Sequence, residues 1–321
     1  MKFGILQFFS WPERRVSLPT VYQRALERIE IMDQNGYDAV WLTEHHFTDY
    51  SVCPSIPVIG TYAAAKTTNL RIGTGVCLAG FYHPLRLAEE IALLDTLSGG
   101  RVYWGAGRGF DKNEFAAFGV PIEESHARFR ETVDIVLKAW TDERLTYDGK
   151  FYKFDNVEVL PKPAQRPHPP VWMAASSPGA IEWAASIGHS ILMDPHSTHT
   201  ELGAKWLSYK ETLEKNGYSI EGRMTPMARL FAVSSTQEKA AEIARRGAKW
   251  LVDAYVPREM YGDGDPVERY VDEVVIHGTP ERVVDELNRL QEEIHLDYII
   301  GAPLSHESFV QFTDYIMPRV V

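Results

Sequence analysis

The chain has little of three features that would assign it to particular classes of protein. Only two of its 321 residues are cysteine, Cys53 and Cys77, so it cannot form a disulfide framework. It has no apolar run near the ~18 residues of a transmembrane helix, and its first residues lack the apolar run of a signal peptide. Its formal net charge of −11 argues against nucleic-acid binding. These absences predict a soluble protein of the reducing cytoplasm, with neither nucleic acid nor membrane as a partner.

The hydrophobic pattern alternates between short apolar runs and amphipathic segments along most of the chain. The predicted strands are 3–8, 39–44, 70–78, 102–105, 170–174, 189–193, 227–233 and 298–300. The predicted helices are 19–35, 56–66, 84–97, 124–140, 179–186, 198–216, 236–251, 279–293 and 305–315. Eight strand–helix units with no change of composition predict an α/β protein with one (β/α)8 TIM barrel over residues 1–321. A doubly wound sheet is the alternative and would more often have five or six strands.

Two segments interrupt this alternation. Residues 146–170 contain the hairpin-turn signal Tyr147-Asp148-Gly149-Lys150 and several prolines, which predicts an excursion after the fourth unit. Residues 252–277 carry prolines, glycines and many charges. They predict a mobile lid loop before the last helix–strand pair.

The first candidate for chemistry is Glu44-His45-His46, which directly follows a strongly apolar run. Active sites of (β/α)8 barrels lie at the carboxyl ends of their strands. An imidazole titrates near neutral pH, so His45 is predicted to take part in acid–base catalysis. A satisfied core histidine and a metal ligand are the alternatives. Metal binding is disfavoured because adjacent strand residues face opposite ways and no further ligand cluster has suitable spacing.

Three further segments lie near predicted strand ends. Glycines on either side of Arg108 would let a ligand approach the backbone beside a planar cation. Ser176 and Ser177 precede a helix and would form an anion site, and Gly73 and Gly75 weaken a strand in the way that close ligand approach requires. Each segment also has an ordinary structural explanation, namely a tight turn, a helix cap or barrel packing. A shared position at one end of a barrel favours a ligand site.

Several of these segments resemble bacterial luciferase and its flavin-dependent monooxygenase relatives. The matching segments, in chain order, are Trp-Leu-Thr-Glu-His-His-Phe-Thr (41–48), His-Pro-Leu-Arg (83–86), Gly-Arg through Arg-Gly (100–109) and Glu-Trp-Ala-Ala (182–185). The resemblance implies a two-component monooxygenase that receives reduced FMN (FMNH2) from a separate flavin reductase. It also implies that O2 is used to oxygenate an apolar organic substrate, such as an aldehyde or ketone, through a peroxyflavin.

The resemblance also implies roles for particular residues. His45 matches the catalytic histidine, and Arg108 matches a phosphate-binding arginine. Ser176 and Ser177 match the phosphate-binding turn. Gly75 and Val76 match a non-proline cis peptide beneath the flavin ring. His46 and Glu89 match residues at the subunit interface of a dimer, so a homodimer is expected.

The sequence departs from the family pattern at three positions. The family's reactive cysteine is Gly107 here, so no thiol role carries over. A second phosphate arginine falls on His126, with Arg128 close by as a substitute, and a phosphate-contacting threonine falls on Ala180. The alternatives to a monooxygenase are a deazaflavin-dependent oxidoreductase on the same barrel, a non-catalytic flavin-binding protein and a metal-dependent hydrolase.

Overall fold

The computed structural model describes residues 1–254 and 264–320, which form two compact units. The amino-terminal unit is Gln7–Ala174, and the carboxy-terminal unit is Met1–Leu6 together with Ala175–Val321. Strands and helices alternate in both units, as predicted for an α/β protein. Within the described ranges, none of the helices combines the length and hydrophobicity that crossing a bilayer would need.

The strands are β1 (Lys2–Gln7), β2 (Ala39–Leu42), β3 (Arg71–Thr74), β4 (Cys77–Leu78), β5 (Val102–Gly107), β6 (Leu145–Asp148), β7 (Lys153–Val157), β8 (Val171–Ala174), β9 (Ser190–Leu192), β10 (Met227–Val233), β11 (Ile276–Gly278) and β12 (Tyr298–Pro303). The helices are α1 (Leu18–Gln34), α2 (Ile56–Lys66), α3 (Pro84–Leu97), α4 (Lys112–Phe118), α5 (Ser125–Thr141), α6 (Pro178–Ser186), α7 (His199–Lys215), α8 (Gln237–Ala254), α9 (Pro266–Glu273), α10 (Pro280–Ile294) and α11 (His306–Gln311).

The amino-terminal unit is built on parallel strands in the order β2-β3-β5-β8, all with mostly buried residues. Trp41 is fully buried, and its ring packs against Trp172 with centroids 5.4 Å apart. Gly73 of β3 has no side chain because a Cβ there would lie 2.6 Å from the Trp41 ring. Large aromatic side chains therefore fill the core, and glycines on the neighbouring strands leave room for them.

The predicted third strand, 70–78, is two strands in the structure. It breaks at the Gly75–Val76 peptide, which is cis as the resemblance implied. The Gly75 amide donates to Leu42 O at 2.7 Å, and β4 resumes beyond the break, where Cys77 pairs with Ala106. The backbone of β3 and β4 is therefore irregular at the strand end where the ligand site was predicted.

The carboxy-terminal unit has parallel strands in the order β11-β10-β12-β1, and Met193 after β9 bridges Met227 of β10. Its most polar interior residue is Arg229, which is fully buried. The Arg229 guanidinium donates to the carbonyl oxygens of Ser197 (2.7 Å), Asp194 (3.0 Å) and Ala228 (2.6 Å). These bonds fasten the segment after β9 to β10, so this polar network is part of the core.

The two predicted interruptions differ from each other in structure. The turn signal Tyr147–Lys150 covers the end of β6 and the start of the turn to β7, and the two strands pair antiparallel as a hairpin. The Glu131 side chain of α5 accepts bonds from the backbone amides of Lys150, Phe151 and Tyr152 and so anchors this turn. Of the predicted loop 252–277, residues 255–263 lie outside the described residues.

The rest of the predicted loop is more regular than its composition indicated. The described part contains helix α9 and strand β11. Asp265 caps α9, since its side chain accepts a hydrogen bond from the Val267 amide, and a proline occupies the first turn. The prolines and charges that predicted a loop therefore belong in part to a helix start.

Candidate functional site

The residues after β2 form two pairs of imidazole and buried carboxylate. In the first pair, His46 Nε2 lies 3.0 Å from Glu44 Oε1, and Glu44 Oε2 accepts from the Leu78 amide at 3.2 Å. The Glu44 side chain is fully buried, and that of His46 is 11% exposed. Glu44 therefore joins the end of β2 to β4, and His46 gives its second carboxylate oxygen a partner.

The second pair joins His45 to Glu114 of α4. His45 Nδ1 lies 3.6 Å from Glu114 Oε1, and this oxygen also accepts from the His46 amide at 2.8 Å. The Glu114 side chain is fully buried, and that of His45 is 11% exposed. The buried carboxylate thus lies at ion-pair distance from the imidazole that was predicted to be catalytic.

Two aromatic rings pack against His45. The Tyr50 ring packs edge-on against the imidazole with centroids 5.0 Å apart, and the Phe110 ring does so at 6.1 Å. Burial raises the pKa of Tyr50, so its phenol stays neutral across the physiological range. An apolar, uncharged wall of this kind holds the imidazole and limits the access of water to it.

Val76, which lies between β3 and β4, comes close to Gly107 at the end of β5. A Cβ on Gly107 would clash with Val76 Cγ2, and one on Gly105 would clash with the Thr74 carbonyl. The Thr74 hydroxyl donates to Gly105 O at 2.6 Å, which fixes this approach. Glycines 105 and 107 are therefore explained by packing between the strand ends, while Arg108 follows directly after β5.

Arg108 is half-buried where β5 ends and α5 begins. Its guanidinium donates to Ser125 Oγ at 3.0 Å and lies 6.0 Å from the centre of the Phe115 ring. Burial lowers the pKa of Arg108. A guanidinium in a protein is effectively always protonated, so the group keeps its charge. No carboxylate within residues 1–254 and 264–320 forms an ion pair with it. A partly buried cation at a helix N-terminus with no acidic partner is a site for an anion.

The two candidates for a second phosphate contact have different surroundings. His126 is the first residue after Ser125 on α5, and burial together with Arg108 and Arg130 lowers its pKa. Arg128 instead pairs with Glu124 at 2.8 Å and stacks on the Phe151 ring at 4.2 Å. Arg128 is therefore already neutralised, and His126 is the better candidate.

Ser176 and Ser177 lie in the carboxy-terminal unit, at the start of α6. Both are exposed, and Ser177 caps the helix with its hydroxyl 3.4 Å from the Ala180 amide. The ordinary capping role is thus present at Ser177. Gly179 has open space around it, so backbone amides at this helix start are accessible to an anion.

The structure brings four of the six predicted site residues to neighbouring strand ends of the amino-terminal unit, namely His45, Gly75, Val76 and Arg108. The sequence-based reading missed Glu114. It also missed the contacts of His46 within its own chain: the ring lies against Glu44, and its centroid is 4.8 Å from that of Phe118. The role of His46 at a subunit interface stays a prediction. Asp111, which caps α4 through the Asn113 amide, is a sequence signal that could have revealed the helix carrying Glu114.

Comparison with known families gives a match over most of the chain. The family model for luciferase-like monooxygenases matches residues 1–294. The chain belongs to the luciferase-like monooxygenase family. The expected family resemblance is therefore confirmed.

Curated relatives of this luciferase-like monooxygenase include named enzymes. It is 28% identical to the alkanal monooxygenase alpha chain of Photorhabdus luminescens over 271 residues, covering 84% of this chain and 75% of the relative. It is 27% identical to the oxygenase component of the flavin-dependent trigonelline monooxygenase of Acinetobacter baylyi over 242 residues, covering 75% of this chain and 67% of the relative. It is 38% identical to the uncharacterized protein y4wF of Sinorhizobium fredii over 191 residues, covering 60% and 55%. The chain thus spans about half the length of this last relative.

Solved structures of similar fold cover the whole chain. The monooxygenase RslO1 of Streptomyces bottropensis superposes with a TM-score of 0.85 at 28% identity over 99% of both chains. The oxygenating constituent of 3,6-diketocamphane monooxygenase of Pseudomonas putida, solved with FMN, superposes with a TM-score of 0.85 at 18% identity, covering 100% of this chain and 99% of that chain. An F420-dependent secondary alcohol dehydrogenase superposes with a TM-score of 0.81 at 20% identity, covering 100% of this chain and 99% of that chain. The last two show a shared fold only.

Proposed function

We propose that this luciferase-like monooxygenase is the oxygenase component of a two-component system. It would receive FMNH2 from a separate flavin reductase and use O2 to oxygenate an apolar organic substrate, such as an aldehyde or ketone. The observation that carries the proposal is the half-buried Arg108 guanidinium, which has no carboxylate partner among the described residues and lies at the N-terminus of α5. Such a site fits the phosphate of FMN.

The residues near Arg108 fit a flavin phosphate in charge and in space. His126 of the same unit would add a second donor. In the carboxy-terminal unit, the open start of α6 at Ser176 and Ser177 offers backbone amides and hydroxyls, and the phosphate-binding role implied for them by the resemblance stays a proposal. Gly75 and Val76 would lie against the flavin ring. Reduced flavin supplies the electrons that activate O2, a reaction that side chains alone do not perform.

His45 would move a proton at the reacting centre. Its ring is mostly buried between Tyr50 and Phe110, and Glu114 is close enough to stabilise its protonated form. The apolar ring contacts would exclude water and so protect reactive oxygen chemistry from side reactions. An apolar organic molecule is the substrate class that suits such surroundings.

The direct test measures flavin selectivity and turnover. FMN, riboflavin and a deazaflavin cofactor are titrated against the protein, and substrate-dependent oxygen consumption is then followed with FMNH2. Arg108→Ala is expected to weaken FMN binding about tenfold or more while leaving riboflavin binding unchanged, since it removes a charge-assisted bond to phosphate. Tighter binding of the deazaflavin, with hydride transfer and no oxygen consumption, would support the F420-type alternative. Flavin binding without any substrate turnover would indicate a non-catalytic protein.

The architecture of the whole chain and its assembly are the last part of the proposal. We propose that the chain forms a single (β/α)8 barrel, supported by parallel strand pairing in each unit and by the whole-chain similarity to RslO1. We also propose a cytoplasmic homodimer. Glu89 lies half-buried on α3 and is available for the predicted contact, whereas His46 is already paired within its chain.

A further inference from the structure

The two buried carboxylates near His45 differ in how well they are satisfied. Glu44 has a partner for each oxygen, namely His46 Nε2 at 3.0 Å and the Leu78 amide at 3.2 Å. Glu114 Oε1 accepts from the His46 amide at 2.8 Å, but Glu114 Oε2 is buried with no hydrogen-bond partner in the described part of the chain. A buried carboxylate that is only half satisfied is costly. Glu44 thus has a complete structural explanation, and Glu114 has only a partial one.

Glu114 also lies beside the His45 imidazole. The 3.6 Å between Glu114 Oε1 and His45 Nδ1 is longer than a hydrogen bond but within ion-pair range. Catalytic hydrogen bonds are often this long before a ligand binds and shorten in the complex. The neighbouring imidazole, His46, is already held through Nε2 by Glu44. Glu114 is therefore positioned to act on His45.

We propose that Glu114 is a positioning residue for His45, in that its carboxylate keeps the neutral imidazole protonated on Nδ1 and leaves Nε2 as the atom that exchanges protons. This proposal rests on the proposed function of His45. A proton leaving the reacting molecule would bond to Nε2, and the imidazolium charge would then lie beside the Glu114 carboxylate. Return of the proton from Nε2 restores the neutral ring. A carboxylate behind an imidazole fixes tautomer and orientation in this way in other enzymes.

The first experiment reads the tautomer without any cofactor. ¹⁵N NMR of the flavin-free protein distinguishes ring nitrogens that carry a proton from those that do not. We expect wild-type His45 to carry its proton on Nδ1, and Glu114→Gln, which keeps the volume and an acceptor for the His46 amide, to shift a large share of His45 to the Nε2–H form. Glu44→Gln is the matched control, and it should change the His46 signals only. A wild-type His45 protonated on Nε2, or a tautomer unchanged by Glu114→Gln, would overturn the proposal.

The second experiment separates positioning from folding. With FMNH2, O2 and an aliphatic aldehyde as the probe substrate, Glu114→Gln should lower kcat at least about tenfold with KM within about twofold. Glu114→Asp, which keeps the charge, should recover part of that loss. In the His45→Ala background, Glu114→Gln should have no further effect, and additive losses would contradict a role through His45. If His45→Ala itself leaves turnover intact, the proposed function of His45 fails, while the NMR result still decides the positioning role.

Discussion

The Val76 side chain fills the space beside the backbone of Gly107. A Cβ on Gly107 would clash with Val76 Cγ2 and lie 3.4 Å from Ala174 Cβ. Both residues lie at neighbouring strand ends, since Leu78 of β4 pairs with Gly107 of β5. The resemblance aligns a reactive cysteine of the family with Gly107. Because Val76 occupies the space that a side chain at position 107 would need, the residue types at positions 76 and 107 depend on each other at the proposed flavin site.

This coupling predicts a double-mutant effect on stability. Gly107→Ala should lower the free energy of unfolding by about 1–3 kcal/mol, because the added methyl group forces Val76 or the strand ends to move. In a Val76→Ala background the same change should cost clearly less, because the Val76 methyl groups that it meets are gone. Urea unfolding of the four proteins measures both effects.

A matched glycine provides the control for this cycle. Gly179 in the first turn of α6 has nothing within 4 Å of its would-be Cβ, so Gly179→Ala should leave stability unchanged or slightly improved. If Gly107→Ala is equally harmless, or costs the same with and without Val76, the two residues are not coupled.

Many elements follow from local pattern alone. The predicted helices 56–66 and 84–97 match α2 and α3, and the apolar run before Glu44 is β2. Ser55 caps α2, and a proline occupies the first turn of both helices, so signals that act over a few residues mark where they begin. Helix α4 was missed because it has only seven residues and follows a glycine-rich stretch. Helix α9 was missed because its capping aspartate and proline also occur in loops.

The sequence predicted those site residues whose side-chain chemistry alone indicates a role. His45, Arg108 and the serines could be proposed because their chemistry is visible in the sequence. Glu114 could not, since its partner His46 is 68 residues away and only the tertiary fold brings them together. The contact of His46 with Glu44 was not predicted because strand alternation was extended past Leu42, where β2 ends, and the backbone of Phe47 then turns with φ 59°.

His126 predicts that FMN binding depends on pH. Burial, Arg108 and Arg130 lower the pKa of His126 in the free protein, so at pH 7.5 the ring is mostly neutral and gains a charge only below its ordinary value near 6.5. A bound phosphate favours the charged form, so relative to His126→Arg the wild type should bind FMN less tightly at pH 7.5. This difference should shrink as the pH falls towards 5.5.

Fluorescence titration of both proteins with FMN and riboflavin measures this difference. Comparison at equal pH removes the titration of the phosphate itself, which is common to both, and riboflavin lacks the phosphate. Arg128→Ala is the control, because Arg128 already pairs with Glu124 and should contribute less than about threefold to FMN affinity. A constant ratio between wild type and His126→Arg across this range would show that His126 does not contact the phosphate.

His46 is predicted to act on folding through Glu44. His46→Leu leaves the buried Glu44 Oε1 without its imidazole partner and should lower the free energy of unfolding by about 1–3 kcal/mol. Adding Glu44→Gln should recover part of this loss, since the uncompensated charge is then removed. His83→Leu, at an exposed histidine, is the control and should have little effect on urea unfolding.

Sedimentation velocity on the same proteins tests the proposed role of His46 at a subunit interface. A weakened dimer with unchanged monomer stability would favour the contact predicted from the resemblance.

His199 predicts a loss of stability in mild acid. The ring is mostly buried in the carboxy-terminal unit, its Nδ1 has no hydrogen-bond partner among the described residues, and Glu286 is 4.0 Å from Nε2. Burial and the positive charge of Arg229 outweigh Glu286 and lower the pKa of His199 from 6.5 to about 4. The folded protein therefore binds the proton more weakly than the unfolded chain does. The resulting contribution to stability is complete above pH 6.5 and disappears as the pH falls to about 4.

The difference between the pKa of His199 in the folded and in the unfolded protein sets the size of the stability loss. A tenfold change in proton affinity corresponds to about 1.4 kcal/mol, so the shift from 6.5 to about 4 corresponds to about 3 kcal/mol. Urea unfolding at intervals between pH 7.5 and 4 should show this decline in wild type and a flatter profile in His199→Gln, while exposed His306→Gln should follow wild type. Asp194 does not interfere: burial alone would raise its pKa, but Lys205, His196 and Arg229 lower it to about 2, so its contribution is lost only at lower pH. Parallel profiles for wild type and His199→Gln would mean that His199 is hydrated or protonated in the folded protein.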